Sequence, residues 1–306
     1  MRLRPETVLP LISLIQHLAY HGYSIWLFSA SDIKTIVAPS FLFSFFTALA
    51  LGRFGISSPP EVLDLLYRSP RTLFWIWINL MTFVINNQRR PCSILEDTYN
   101  KPWRPMPSKR LTQTQALVLV WSFHQIAIAA SFYLGGTRQC LILILLGYWY
   151  NQLGGGDDSV VVRSLINTGG YMQFTTGALE VLAGKVTLTR QLFTWQVVIA
   201  AIIFSTGYSQ DMPDQRGDAK RGRRTVPLVV GDLNARWLLG TLVVFWSVFC
   251  PVHLGSSFMG YTVITFLGAV VATRFLLLTS CQDDARTFKI WNLWLAAIFT
   301  LPAWSA

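Results

Sequence analysis

Two short polar stretches interrupt an otherwise apolar chain, Glu96 to Ser108 (EDTYNKPWRPMPS) and Asp211 to Pro227 (DMPDQRGDAKRGRRTVP), and together they carry five carboxylates. Carboxylates beside apolar segments are costly unless they are paired or bound to metal. Asp211, Asp214 and Asp218 are spaced i, i+3, i+7, which predicts one face of a helix. Three like charges on one face repel, and a hard divalent cation relieves them: carboxylate oxygens suit Mg²⁺, which keeps some waters and is commonly shared with substrate phosphates. Glu96 and Asp97 form a second acidic pair, followed closely by Lys101 and Arg104. The chemistry these groups define is the joint binding of metal and a phosphorylated ligand.

The elements that hold them are set by composition. With 52% hydrophobic residues, 13% charged residues and a mean hydropathy of +0.43, the chain is far from the roughly 25% charge of ordinary soluble domains. It reads as an all-α polytopic membrane protein. A bilayer crossing needs about 20 apolar residues, fewer where a helix is tilted or partly buried. That ruler predicts about nine helices, over 36–51, 72–85, 112–134, 140–150, 160–182, 192–209, 233–250, 258–278 and 288–303. The fourth and ninth fall short of the usual length. The whole chain, 1–306, is one domain, with 1–30 as an interfacial segment and 87–111 and 210–232 as the two motif loops.

Basic residues give the orientation. Arg89, Arg90, Lys101, Arg104, Lys109 and Arg110 follow the second span, and Arg216, Lys220, Arg221, Arg223 and Arg224 follow the sixth. The opposite loops are poorer, carrying Arg53, Arg68, Arg71, Arg138, Lys185 and Arg190. The positive-inside bias therefore puts both motif loops and the N-terminus in the cytosol. A net charge of +10 does not indicate nucleic acid, because the bases are interleaved with acids at motif spacing. Arg2 and Arg4 precede an apolar run in which Leu11, Leu14, Ile15 and Leu18 recur at helical spacing, which predicts an amphipathic helix on the membrane surface. Cys92, Cys140, Cys250 and Cys281 have no metal spacing and read as reduced thiols. His124 and His253 stand alone among apolar residues and read as packing or interfacial side chains.

A family resemblance rests on the two motifs. Asp211, Asp214, Gly217, Asp218, Gly222, Thr225 and Pro227 make a DxxDxxGDxxxGxxTxP run that resembles the second aspartate motif of the UbiA superfamily of intramembrane prenyltransferases. Asp97, Asn100, Pro102, Arg104, Pro105, Pro107 and Ser108 resemble the end of its first motif. The first motif departs from the family form NxxxDxxxD, since Ser93 and Arg89 stand where Asp and Asn are expected and Asn87 lies ten residues before Asp97. Glu96 beside Asp97 partly restores the charge. This altered motif, with SDIKTIV near Ser31, looks like the fungal membrane-bound terpene cyclases of that superfamily. The resemblance implies nine transmembrane helices and a cytosol-facing site, with endoplasmic reticulum as the expected membrane.

It also implies roles. Mg²⁺ would be held by Glu96, Asp97, Asp211, Asp214 and Asp218, and the diphosphate of a prenyl substrate by Arg104, with Asn87, Asn100, Lys101, Asn151, Lys220 and Arg224 as further contacts. Arg104 is favoured over Lys109 and Arg110 because its planar fork matches phosphate oxygens. Arg216, Arg221 and Arg223 are equally well explained by lipid headgroups or topology. Ionisation leaves a carbocation that needs a dry pocket of π-faces; of the twelve Trp, twenty Phe and ten Tyr, the expected lining includes Tyr148, Tyr150, Tyr171, Phe174 and Tyr208, with Asn167 nearby. Glu180, the acid well inside a predicted span, is a candidate cation stabiliser or proton acceptor, with a hydrogen bond to a neighbouring helix as the competing reading. The expected activity is cyclisation of farnesyl diphosphate to a sesquiterpene. The alternative is prenyl transfer to an aromatic or lipid acceptor. Membrane lipid is the expected surrounding, and no obligate protein partner is evident.

Overall fold

The computed structural model describes residues 5–57 and 59–304, with side chains from residue 14 onward. Arg2 and Arg4 lie outside the described residues, as does the Leu11 side chain. Every regular element among those described is helical. The chain runs α1 (Pro5–Ser29), a π-helical turn (Ile33–Val37), α2 (Ala38–Leu49), a 3₁₀ turn (Leu51–Phe54), α3 (Val62–Gln88), α4 (Pro91–Asn100), α5 (Gln113–Leu134) and α6 (Thr137–Asn151). It continues through α7 (Gly155–Asp158), α8 (Val160–Ala183), α9 (Arg190–Thr206), a 3₁₀ turn (Gly207–Gln210), α10 (Gln215–Arg221), α11 (Val226–Val230), α12 (Asp232–His253), α13 (Phe258–Leu277) and α14 (Cys281–Trp304).

All nine predicted spans coincide with helical segments among the described residues. Among the described residues, four helices are long and apolar enough to cross alone: α5, α9 with its 3₁₀ extension, α12 and α13. The bent pair of α1 and α2 makes a fifth candidate. At 22 residues, α5 is about 33 Å long, enough for a hydrocarbon core of about 30 Å. Helices α3 and α14 carry polar groups such as Asn79, Asn86, Asp284 and Asn292 that turn inward rather than toward lipid, which lowers their apolar character without removing them from the bundle.

The helices form two groups. α3, α5, α6 and α8 pack together, as do α9, α12, α13 and α14, while α2 lies against both α8 and α14 and joins the halves. Each half is keyed by a tryptophan, whose ring is apolar but whose N–H needs a partner. Trp75 Nε1 donates to Ser131 Oγ at 2.8 Å, and Trp294 Nε1 donates to Ser247 Oγ at 2.8 Å. The Trp75 ring fills the space over Gly177, so a side chain there would overlap it. Small residues of this kind let helices approach closely in an apolar medium.

The N-terminal reading is partly altered. α1 is helical, with Leu14, Ile15 and Leu18 exposed, but its last turn is buried through Ser24, Leu27, Phe28 and Ser29 and packs on α3. The segment is therefore anchored to the bundle as well as carrying an apolar outer face. All four cysteines are free thiols, His124 bonds within its own helix to the Val120 carbonyl at 2.6 Å, and His253 stacks on Phe249. The packing readings of these groups stand.

Candidate active site

The stretches expected as loops are short helices, α4 within 87–111 and α10 and α11 within 210–232. α4 and α11 start in a way that fits their sequences: Pro91 and Pro227 occupy first-turn positions, where their missing N–H costs nothing. The three aspartates of the second motif do not share one helix face. Asp211 closes the 3₁₀ turn, Asp214 is the N-cap residue of α10, and only Asp218 lies inside it. Pro213 between them bars a continuous helix by removing a donor, yet the backbone keeps winding, with Asp214 N donating to the Asp211 carbonyl and Asp218 N to that of Asp214.

α4 and α10 are latched by Asn100. Its side-chain oxygen accepts from Gly217 N at 3.0 Å and its amide donates to the Asp214 carbonyl at 3.0 Å. Any Cβ at 217 would occupy the place of that amide. The glycine of one motif and the asparagine of the other are thus two halves of one contact. It puts both motifs on the same side of the bundle.

Ion pairs extend this brace. Glu96 spends both oxygens on arginines of the second motif, Arg221 at 2.8 Å and Arg223 at 2.9 Å. Arg221 also donates to Ser93 Oγ at 2.8 Å and Asp157 Oδ2 at 2.9 Å, and Arg223 reaches Asp157 at 3.3 Å and Asp218 at 3.4 Å. Asp97 is held by one nitrogen of Arg104 across both oxygens, at 2.9 and 3.1 Å. Asp214 pairs with Lys101. Asp211 pairs with Arg163 of α8 at 2.7 Å, and the same guanidinium donates to the Tyr150 hydroxyl.

Electrostatics separate the members. Burial raises the proton affinity of Asp97 and of Asp211 even against their arginine partners. Burial, and then the neighbouring Asp211 charge, push Asp218 up to about 7. Asp157 goes the other way: burial works against it, but hydrogen bonds and charge from Arg221 and Arg223 hold it below the usual carboxylate range.

These pairs bear on metal. Among the described residues no three acidic, His or Cys side chains converge into a ready shell. The donor chemistry of the second motif fits a hard divalent cation nevertheless, because Asp218 Oδ2 is buried without a partner among the described residues and sits in the field of Asp211. The first motif fits less well, since arginines already occupy the oxygens of Glu96 and Asp97.

Below the brace a cavity of about 1110 Å³ of atom-free space, mouth included, runs between the π-helical turn, α3, α6, α8, α9 and α14. Asp32, Arg163, Gln210 and Asp211 line its polar end, and Phe83, Tyr171, Phe174, Tyr208, Phe288 and Trp291 supply rings. Along α8, Arg163 and Phe174 are eleven residues apart, or about 16 Å in depth.

The expected site residues divide accordingly. Phe174, Tyr171, Tyr208 and Asn167 line the cavity, and Asn87 donates to Asn151 at 2.9 Å just beyond it. Tyr150 takes part through its hydroxyl rather than as a cavity ring. Tyr148 does not join them: two positions before Tyr150, it is 54% exposed and lines a groove facing α5. Glu180 is also elsewhere, seventeen residues and about 25 Å along α8 from Arg163, where it accepts from Gly136 N at 3.2 Å and Gln139 Nε2 at 3.0 Å. It secures the start of α6, the helix-to-helix reading. Lys220 and Arg224 lie exposed, whereas Arg221 and Arg223 are buried ion-pair partners rather than headgroup contacts. Arg163 and Asp157 are the site members that motif reading passes over. Arg163 carried a signal, a charge at the edge of a predicted span; Asp157, in the GGGDD turn, carried none.

A helical bundle with both acidic motifs braced over one ring-lined cavity defines a membrane-embedded enzyme. The chain belongs to the UbiA prenyltransferase family, whose pattern matches residues 41–296. It is 28% identical over 283 residues to the fumagillin beta-trans-bergamotene synthase of Aspergillus fumigatus, covering 91% of each chain. It is 27% identical over 261 residues to a diterpene cyclase of Hericium erinaceus, covering 78% of this chain and 77% of that one. A UbiA homologue from Archaeoglobus fulgidus, solved bound to GPP and Mg²⁺, shares the fold at a TM-score of 0.55 and 14% identity, over 89% of this chain and 99% of the other.

Proposed function

We propose that this protein is a Mg²⁺-dependent terpene cyclase that ionises farnesyl diphosphate and closes the resulting cation to a sesquiterpene, in the endoplasmic reticulum membrane with its mouth toward the cytosol. The observation that carries this reading is the cavity itself: charged groups gather at one end, and rings from α3, α8 and α14 line its wall. Similarity to a bergamotene synthase and a diterpene cyclase supports it.

A divalent metal held by Asp211, Asp214 and Asp218 would act as a Lewis acid on the leaving diphosphate. The chain's own groups do the rest. Arg104 and Lys101 place fixed positive charge at the mouth, where negative charge grows on the departing oxygen. Arg163 holds Asp211 in place from inside the cavity. Rings such as Phe174 offer π-faces to the cation, each worth roughly 0.5–2 kcal/mol, and the apolar walls keep bulk water from quenching it.

The test is to supply the purified protein with Mg²⁺ and farnesyl or geranylgeranyl diphosphate and no acceptor, then analyse the volatile products. A cyclic terpene supports the proposal. Strict dependence on an added aromatic or lipid acceptor moves the protein to prenyl transfer, the activity in its family's name.

A further inference from the structure

The bend between α1 and α2 lies before residues 41–296, which the family pattern matches, and outside the two acidic motifs. The two helices diverge by 51° there. The chain crosses the break in one π-helical turn, Ile33–Val37, behind Asp32. Such turns are rare and concentrate at functional sites. This one delivers Asp32, Thr35 and Ile36 to the cavity wall.

Its polar groups meet the first motif. Arg104 Nη2 donates to Ser31 Oγ at 2.8 Å and lies 3.7 Å from the Asp32 carboxylate, so the guanidinium is held between Asp97 on one side and the turn on the other. Lys34 is placed differently. Its ammonium donates to the Ser31 carbonyl at 3.1 Å and stands 5.9 Å from the centroid of Phe288, a cavity ring. Lys101, Lys289, Asp32 and Asp214 act on it electrostatically. Lys101 is already paired with Asp214. An ammonium has three donors, and the Ser31 carbonyl uses one. Asp32 faces Arg104 and Asp214 is taken by Lys101, so among the described residues Lys34 has no carboxylate bonded to it and keeps two donors for an anion at the mouth.

We propose that Lys34 contacts the diphosphate of the substrate, and that Ser31 and Asp32 position Arg104 at the same mouth. The turn is then a third element of the site beside the two acidic motifs. The inference rests on the diphosphate reading given under Proposed function. What it adds is a point of attachment on α1–α2, the segment that joins the two halves of the bundle.

The experiment is calorimetric titration of the purified full chain with inorganic diphosphate in the presence of Mg²⁺, in detergent free of phospholipid. Losing one charge-assisted hydrogen bond at a half-buried site gives about a tenfold weaker Kd for Lys34→Met. Lys34→Arg, which keeps the charge, should stay within about threefold of wild type. Mg²⁺ titrated alone should bind Lys34→Met as it binds wild type, and thermal unfolding should match, which a merely structural lysine would not predict. Unchanged diphosphate affinity in Lys34→Met overturns the proposal, as does an arginine variant no better than methionine. So does a loss of binding to phosphatidylserine vesicles with diphosphate affinity intact, since Lys34 would then serve a lipid headgroup. Failure of the wild type to bind diphosphate at all refutes the underlying reading, which is a distinct result.

Discussion

Gly217→Ala isolates the latch between the two motifs. Gly217 lies in α10, where alanine improves helix propensity by about 1 kcal/mol. Against that gain, the new methyl would occupy the position of the Asn100 amide. Asn100 must then give up its bonds to Gly217 N and the Asp214 carbonyl, at about 0.5–1.5 kcal/mol each, and overpacking adds about 1–3 kcal/mol. The sum is a net loss of about 1–5 kcal/mol, and Asp214 and Asp218 shift with α10. Asn100→Ala alone removes the same two bonds without the clash. The double variant, in which the methyl enters space that the amide has left, should be no less stable than Asn100→Ala and should regain part of the propensity gain. Thermal unfolding of wild type, both single variants and the double variant forms a cycle whose coupling should be at least about 1 kcal/mol in favour of the double. Additive losses would mean that the two residues do not share one contact.

Other outcomes follow from the ion network and the cavity. Asp218 has a proton affinity raised to about 7, so between about pH 4 and pH 7 the folded protein binds more protons than the unfolded one and metal-free stability should fall as pH rises; Asp218→Asn should flatten that profile, and Mg²⁺ should restore wild-type stability near pH 8. Asp211→Ala should abolish turnover with the fold retained, as should excess EDTA on the wild type, and full activity in chelator would refute the metal role. Arg104→Lys loses the fork on Asp97 and Ser31 and should lower turnover at least tenfold in a diphosphate-release assay, whereas Lys109→Gly should be nearly neutral because Lys109 already sits at φ 57°. Phe174→Leu, which removes a cavity ring while keeping bulk, should divert product toward early-quenched linear or monocyclic terpenes by gas chromatography, and Tyr148→Leu on the outer groove should leave the profile unchanged.

Much of this arrangement is legible in the residues because the motifs are spaced by local geometry. The positions of the helices follow from hydropathy, and the meeting of Asn100 with Gly217 accounts for the asparagine in one motif and the glycine in the other. What spacing does not carry is which charges face each other across the fold. Arg221 and Arg223 look like headgroup arginines in sequence, and only the approach of α4 to α10 turns them onto Glu96. The rule that a charge within a span faces inward points to Glu180 and Arg163 alike; depth along α8 decides between them, placing Arg163 at the mouth and Glu180 at the far end. Pro213 likewise breaks the single face that i, i+3, i+7 implies. Tyr148 and Tyr150 differ by two residues on one helix, and a turn of about 200° separates the outer groove from the site.

The brace between α4 and α10 also constrains how such proteins can be recombined. Glu96 and Asn100 belong to the first half of the chain, whereas Gly217, Arg221 and Arg223 belong to the second. A chimera that joins the front half of this protein to the back half of a relative inherits only one side of each contact. It would bury a carboxylate without its arginines, a defect of about 3–5 kcal/mol for a broken buried pair. Crossovers that exchange these five positions as a block keep the joint intact, so the segments 96–100 and 217–223 behave as one heritable unit although more than a hundred residues separate them.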